Sequence, residues 1–178
     1  MIVTAEASDL TLVSTLNITN KQALSLTPNT NQSGECSITI SVFDGALTAT
    51  TSFVLSVVSI NDPPAFQLSQ NAITVDEDFS TPQSITIIMG INPDDELSQS
   101  FTYSLSPGSS AIASLTINET TGQVTIESIA NQNGYQEFSV IANDGMSENN
   151  TAAQYVALTI NAINDIPTFE LSKKQYNT

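Results

Sequence analysis

The sequence repeats itself, and that repeat limits the possible folds more than any other feature. Ser41-Val42-Phe43-Asp44-Gly45 returns as Ile141-Ala142-Asn143-Asp144-Gly145, an offset of 100 residues. An Asn-Gln-x-Gly segment precedes each at the same spacing, Asn31-Gln32-Ser33-Gly34 and Asn131-Gln132-Asn133-Gly134. Downstream, Ile60-Asn61-Asp62-Pro63-Pro64-Ala65-Phe66-Gln67-Leu68-Ser69 matches Ile163-Asn164-Asp165-Ile166-Pro167-Thr168-Phe169-Glu170-Leu171-Ser172, now at an offset of 103. Separate blocks in one order and at nearly one spacing mark a unit of about a hundred residues used more than once.

Within that unit the apolar residues alternate. Phe53, Leu55 and Val57 do so before the first Asn-Asp pair, and Val156, Leu158 and Ile160 before the second. Ile85, Ile87 and Met89 alternate with Ser84 and Thr86 opposite, and Phe101, Tyr103 and Leu105 follow. Val124 and Ile126 alternate with Gln123, Thr125 and Glu127, as do Phe138, Val140 and Ala142 with their neighbours. Period-two spacing over short runs, broken by Gly, Pro, Asn and Asp, marks half-buried strands, and no window has a helical period. About seven such strands per hundred residues predict an all-β fold of tandem Greek-key β-sandwich domains. The repeat then divides the chain. Residues 1–63 are a partial repeat lacking its first two strands, 64–166 a complete one, and 167–178 the opening strand of a third. A larger array around this chain is the expectation.

Charge narrows the function. Eighteen acidic residues face only Lys21, Lys173 and Lys174, for a net charge of −15. Phosphate binding needs clustered Lys and Arg, so nucleic acid is excluded as a partner and a divalent cation is favoured. The same excess also serves solubility. Charged residues are only 12% of the chain, so short uncharged polar side chains supply the exposed sheet faces. Cys36 is the only cysteine, which rules out an intrachain disulfide, and its parity with Ile38, Ile40 and Val42 points it into the core. No stretch is long and apolar enough to insert in a membrane, and no basic-then-apolar leader follows Met1, so any secretion signal is expected outside this fragment. Without histidine, Ser-His-Asp and Cys-His nucleophile systems and the usual zinc sites are unavailable. The carboxylates sit in short turns rather than across a cleft, and no Gly-rich phosphate loop is present, so the chain is read as a non-enzyme. There is no tryptophan and no tyrosine cluster, which leaves an aromatic carbohydrate platform unsupported.

Several short motifs occur in a telling order: Ala72-Ile73-Thr74-Val75-Asp76-Glu77-Asp78, then Asn92-Pro93-Asp94-Asp95, Tyr103-Ser104-Leu105, Thr121-Gly122-Gln123-Val124, the Asp-Gly turn at Asp144, and Asn164-Asp165-Ile166-Pro167-Thr168-Phe169. This order resembles the cadherin-like repeats of large bacterial surface and secreted proteins, over nearly the whole chain. The resemblance implies Ca2+ held where loops converge on the linkers between domains. It would place Asn61, Asp62, Asn92, Asp94, Asp95 and Asp144 at the first junction, and Glu77, Asn164 and Asp165 at the second. Calcium takes six to eight oxygen ligands and accepts carboxylates, amides and backbone carbonyls alike. Two departures point to fewer or weaker sites: Asn92 stands for the first Asp of an Asp-x-Asp turn, and Asn131-Gln132-Asn133-Gly134 replaces an Asp-Arg-Glu motif. Asp-Gly and Asn-Asp pairs are also ordinary turn formers, because Asx side chains satisfy local backbone donors. Both readings of each aspartate stay open at this level.

The function implied is an extracellular or cell-surface adhesion or stalk module, with neighbouring repeats of the same chain as partners and a surface protein or polysaccharide as ligand. The alternatives are a carbohydrate-binding or spacer module of a secreted polysaccharide-degrading enzyme, and a passive repeat without metal. An open edge in the first repeat and an orphan strand after Pro167 also predict a homo-oligomer built by strand exchange.

Overall fold

Most of the alternating runs become strand in the computed structural model, which describes residues 1–172. The fold is an all-β sandwich. Contacts divide it into two compact units: Met1–Phe66 with Met89–Phe101 and Asn143–Ala152, and Gln67–Ile88 with Thr102–Ala142 and the chain from Ala153 onward.

The first strands are β1 (Ile2–Ala7), β2 (Val13–Thr19), β3 (Ala23–Pro28), β4 (Gly34–Phe43) and β5 (Thr48–Val57). They form a sheet in the order β1-β4-β5 and a separate hairpin, β2-β3. All pairings are antiparallel, with Ile38 opposite Ala7 on one side and Phe53 on the other. Leu12, Val13, Cys36 and Ile38 are buried together, with Ala7, Leu16, Leu24, Leu26 and Leu55 packed round them. Cys36 is thus a core residue, as its parity predicts.

The remaining strands are β6 (Phe66–Leu68), β7 (Ala72–Asp76), β8 (Gln83–Ile85), β9 (Ile87–Met89), β10 (Thr102–Ser106), β11 (Ala113–Ile117), β12 (Val124–Ser128), β13 (Gly134–Asn143) and β14 (Thr151–Asn161). One sheet runs β10-β13-β14-β7, another β11-β12-β8, and β6 pairs with β9. Strand β7 lies parallel to β14, with Ile73 beside Leu158 and Val75 beside Ile160. The alternating run 85–89 is not one strand: it breaks at Thr86, whose N–H donates to Ser69 Oγ (3.0 Å) while Ser69 N–H donates back to its carbonyl (2.9 Å). Ile85, Val124, Ile126, Phe138, Val140, Val156 and Leu158 fill the core.

The repeat is visible in the backbone. Strands β4 and β13 each begin at the glycine of an Asn-Gln-x-Gly turn and run 10 residues. Asn31 and Asn131 have φ of +56° and +57°, and Gly34 and Gly134 have +135° and +137°. Only a residue without a Cβ takes up that second value readily, so the glycine of this turn is dictated by its conformation. Downstream of Ile166 the described residues carry no strand, and Lys173 to Thr178 of the expected opening strand lie outside the described residues.

Candidate functional site

The linker after β5 is held by side chains rather than by a sheet. Its centre is Asn61. The amide nitrogen Nδ2 donates to Asp144 Oδ2 at 2.9 Å and to the carbonyls of Glu148 (3.0 Å), Asn149 (3.3 Å) and Asp62 (3.3 Å). Gln99 Nε2 donates to Asn61 Oδ1 at 2.7 Å, and Asn149 Nδ2 donates to the Asn61 carbonyl at 2.9 Å. An amide has two hydrogens, so four oxygens round one nitrogen are more than it can satisfy. The place it occupies is rich in oxygen and poor in positive charge.

A second contact fixes the next residue. Glu96, almost wholly buried, accepts the Asp62 backbone N–H at 2.8 Å through Oε1. It sits in a single 3-10 turn, Asp94–Glu96, started by Pro93 and closed by the bond from Glu96 N–H to the Pro93 carbonyl (3.0 Å). The flanking carboxylates meet neutral donors: Gln32 Nε2 to Asp94 Oδ2 (2.9 Å) and Ser59 Oγ to Asp95 Oδ2 (2.8 Å). Asn92 is half-buried and takes no part in these bonds. Two grooves flank the linker, one of about 340 Å³ lined by Gln32, Ile60, Asp62 and Asp95, the other of about 300 Å³ lined by Asn61, Glu96, Gln99 and Met146.

The twin aspartates of the repeat separate here. Asp44 is exposed and accepts from its own turn, from Ala46 N–H (2.8 Å) and Leu47 N–H (2.9 Å). Those two donors, Leu47 first, hold its carboxyl below the ordinary value of 3.8. Asp144 is buried, accepts Met146 N–H on Oδ1 (2.9 Å), and accepts Asn61 Nδ2–H on Oδ2. The hairpin length makes the difference. Asp44 N–H bonds to the Leu47 carbonyl, whereas Asp144 N–H reaches the Asn150 carbonyl. The added residues are the ones whose carbonyls surround Asn61.

The residues assigned to the other junction gather separately. Glu77 is buried; Oε1 accepts Ile163 N–H at 2.7 Å, Oε2 accepts Asn133 Nδ2 at 3.2 Å, and its own N–H donates to the Asn161 carbonyl at 2.8 Å. Asn164 and Asp165 are exposed, with Asn164 Nδ2 on the Asp165 carbonyl at 3.1 Å. Asp78 Oδ1 accepts Asn131 N–H at 2.9 Å and so serves the Asn-Gln-x-Gly turn.

The structure therefore brings Asn61, Asp62 and Asp144 together, sets Asp94 and Asp95 against neutral partners, and places Glu77 on the second linker. Among the described residues no three Asp, Glu, His or Cys side chains converge in metal-holding geometry. What converges at Asn61 is one carboxylate with backbone carbonyls, an all-oxygen set whose chemistry suits a hard cation of low affinity. The sequence reading missed Glu96, Gln99, and the carbonyls of Glu148 and Asn149. The shift of offset from 100 to 103 was the visible trace of the longer hairpin.

No family model matches the chain, and no curated protein matches it. Solved structures do. Mouse cadherin-23 EC22-24 is similar at 19% identity and a TM-score of 0.50, over 90% of this chain and 54% of that one. Human protocadherin-24 EC1-2 is similar at 18% and 0.50, over 92% and 83%. Surface layer protein SbsC, domains 1-6, matches at 12% and 0.45, over 96% of this chain and 21% of that one. The chain thus spans about half of the cadherin-23 structure and a fifth of the SbsC one. At such identities the likeness is one of fold: a cadherin-like β-sandwich.

Proposed function

We propose that the chain is an extracellular or cell-surface module, built of tandem cadherin-like repeats of bacterial type, that serves as an adhesion or stalk element and binds Ca2+ at its linkers. Its partners are neighbouring repeats of the same chain, and a surface protein or polysaccharide is the ligand of the whole. The observation that carries the calcium reading is the amide nitrogen of Asn61 amid the oxygens of Asp144, Glu148, Asn149 and Asp62. Asp144 would supply charge, the two hairpin carbonyls would complete one side, and Asn61 would offer Oδ1 once its amide turned. Asp62, Asp94, Asp95 and Asn92 would lend outer ligands or charge, and Glu77, Asn164 and Asp165 would act likewise at the second linker. Bound calcium would offset the acidic charge and tie the linker to the Asp144 hairpin. Few carboxylates place such a site among weak extracellular ones, on the order of 10⁻⁴–10⁻³ M.

Thermal melting tests this. Calcium at about tenfold over its dissociation constant should stabilise by about 1.4 kcal/mol, beyond what sodium does at matched ionic strength. Identical melts in calcium and in sodium would leave the linker metal-free and refute the reading.

A further inference from the structure

We propose that Asn133 is a site of spontaneous deamidation, and that its acidic product releases the hold of Glu77 on the second linker. Asn133-Gly134 is the only Asn-Gly pair in the chain. The amide carbon of an asparagine is open to attack by the backbone nitrogen of the next residue, and a side chain on that residue obstructs the approach. Glycine has no Cβ and leaves it clear. The turn itself demands this glycine, because Gly134 has φ of +137°. Lability at Asn133 therefore comes with the turn. The other copy of the repeat keeps the glycine but has Ser33 before it, so only the complete repeat carries the reactive pair.

Asn133 is also exposed and loosely held. Among the described residues its side chain makes one hydrogen bond, from Nδ2 to Glu77 Oε2 at 3.2 Å, the long end of the ordinary range. Every other asparagine precedes a residue that bears a side chain, and several are tied more firmly. Asn118 Oδ1 accepts Thr120 and Thr121 N–H, both at 3.0 Å. The Asn61 amide is bonded through its nitrogen to Asp144 and through its oxygen to Gln99.

The reaction needs no partner but water. The Gly134 nitrogen, its proton passing to solvent base, bonds to Asn133 Cγ; the Cγ–Nδ2 bond breaks and ammonia leaves. Water then opens the resulting succinimide at either carbonyl, giving aspartate or, with an extra backbone methylene, isoaspartate. Either way, a donor facing Glu77 becomes a carboxylate that can only accept. Glu77 is 5% exposed, and its Oε1 takes Ile163 N–H at 2.7 Å. Salt screens a charge beside a buried one poorly, so the two carboxylates part and the bond to Ile163 is lost. This goes beyond the calcium reading and does not depend on it.

Peptide mass mapping of the full chain, aged in mildly alkaline buffer with chelator, tests the proposal. Residue 133 should convert several-fold faster than any other asparagine, and isoaspartyl methyltransferase should label it. Asn133→Ser, which copies the first repeat, should remove that label. The acidic fraction of the aged protein, separated by anion exchange, gives the second reading. Its Ile163 amide should exchange several-fold faster than in the unmodified fraction, while Leu158 within β14 stays unchanged. Conversion at residue 133 no faster than elsewhere overturns the proposal. So does a label that survives Asn133→Ser, or an Ile163 amide equally protected in both fractions.

Discussion

Two aspartates that occupy one place in the repeat do different work, and a single substitution at each separates turn chemistry from linker chemistry. Asp44 accepts from Leu47 and Ala46, which lowers its pKa from 3.8 in an exposed turn. A carboxyl depressed in the folded state contributes stability that is full above its unfolded value and lost as pH falls through its folded one. Asp44→Asn keeps an acceptor but cannot titrate, so the variant should lose a small part of the acid sensitivity below about pH 4 and change little at neutral pH. Asp144 is buried and bridges Met146 to Asn61. Asp144→Ala strands those donors and should cost about 1–3 kcal/mol in denaturant unfolding. Asp144→Asn should cost less, because it retains a side-chain oxygen as acceptor for Met146 N–H. Equal losses for the two Asp144 variants would mean that packing, not hydrogen bonding, holds this hairpin to the linker.

At the scale of elements, strands and turns were legible while cover was not. The Asn-Gln-x-Gly turns could be read because the conformation demands those residues, and the two copies agree in φ to within a few degrees. Gly34→Ala and Gly134→Ala should each destabilise by about 1 kcal/mol or more. At both sites an added Cβ would meet a neighbour only at ordinary contact distance, so the cost is conformational. Gly108→Ala, where the backbone lies outside that region and the nearest atom is 3.7 Å away, should be near neutral in the same unfolding experiment. Burial is another matter. Phe53-x-Leu55-x-Val57 and Val156-x-Leu158-x-Ile160 have one pattern and two fates, because a strand's period says which face it offers and nothing of what covers that face. Glu96 was hidden for a related reason. In sequence it ends the acidic run Asp94-Asp95-Glu96, and only the 3-10 turn takes the third carboxylate inward to the Asp62 N–H while the first two face Gln32 and Ser59.

Over the whole molecule, charge is one-sided: the net charge is −15, with three lysines to offset it. Self-repulsion of that kind disfavours a compact state and is relieved by any salt. The screening length falls from about 30 Å at 0.01 M to about 10 Å at 0.1 M, so the melting temperature should climb over that range of sodium chloride and then level off. This general effect would mimic a calcium effect unless the two are separated, and the site allows it. Calcium added at constant ionic strength changes screening little, so any further rise comes from coordination. That further rise should be present in the native chain and lost in Asp144→Asn, whose response to sodium chloride should be unchanged, because one charge among eighteen alters the field only slightly. Asn61→Ala should behave as Asp144→Asn does if the amide becomes a ligand, and it leaves the charge untouched. A calcium response of equal size in all three proteins would assign it to the diffuse acidic surface and clear the linker of any part in it, while the salt dependence would stand.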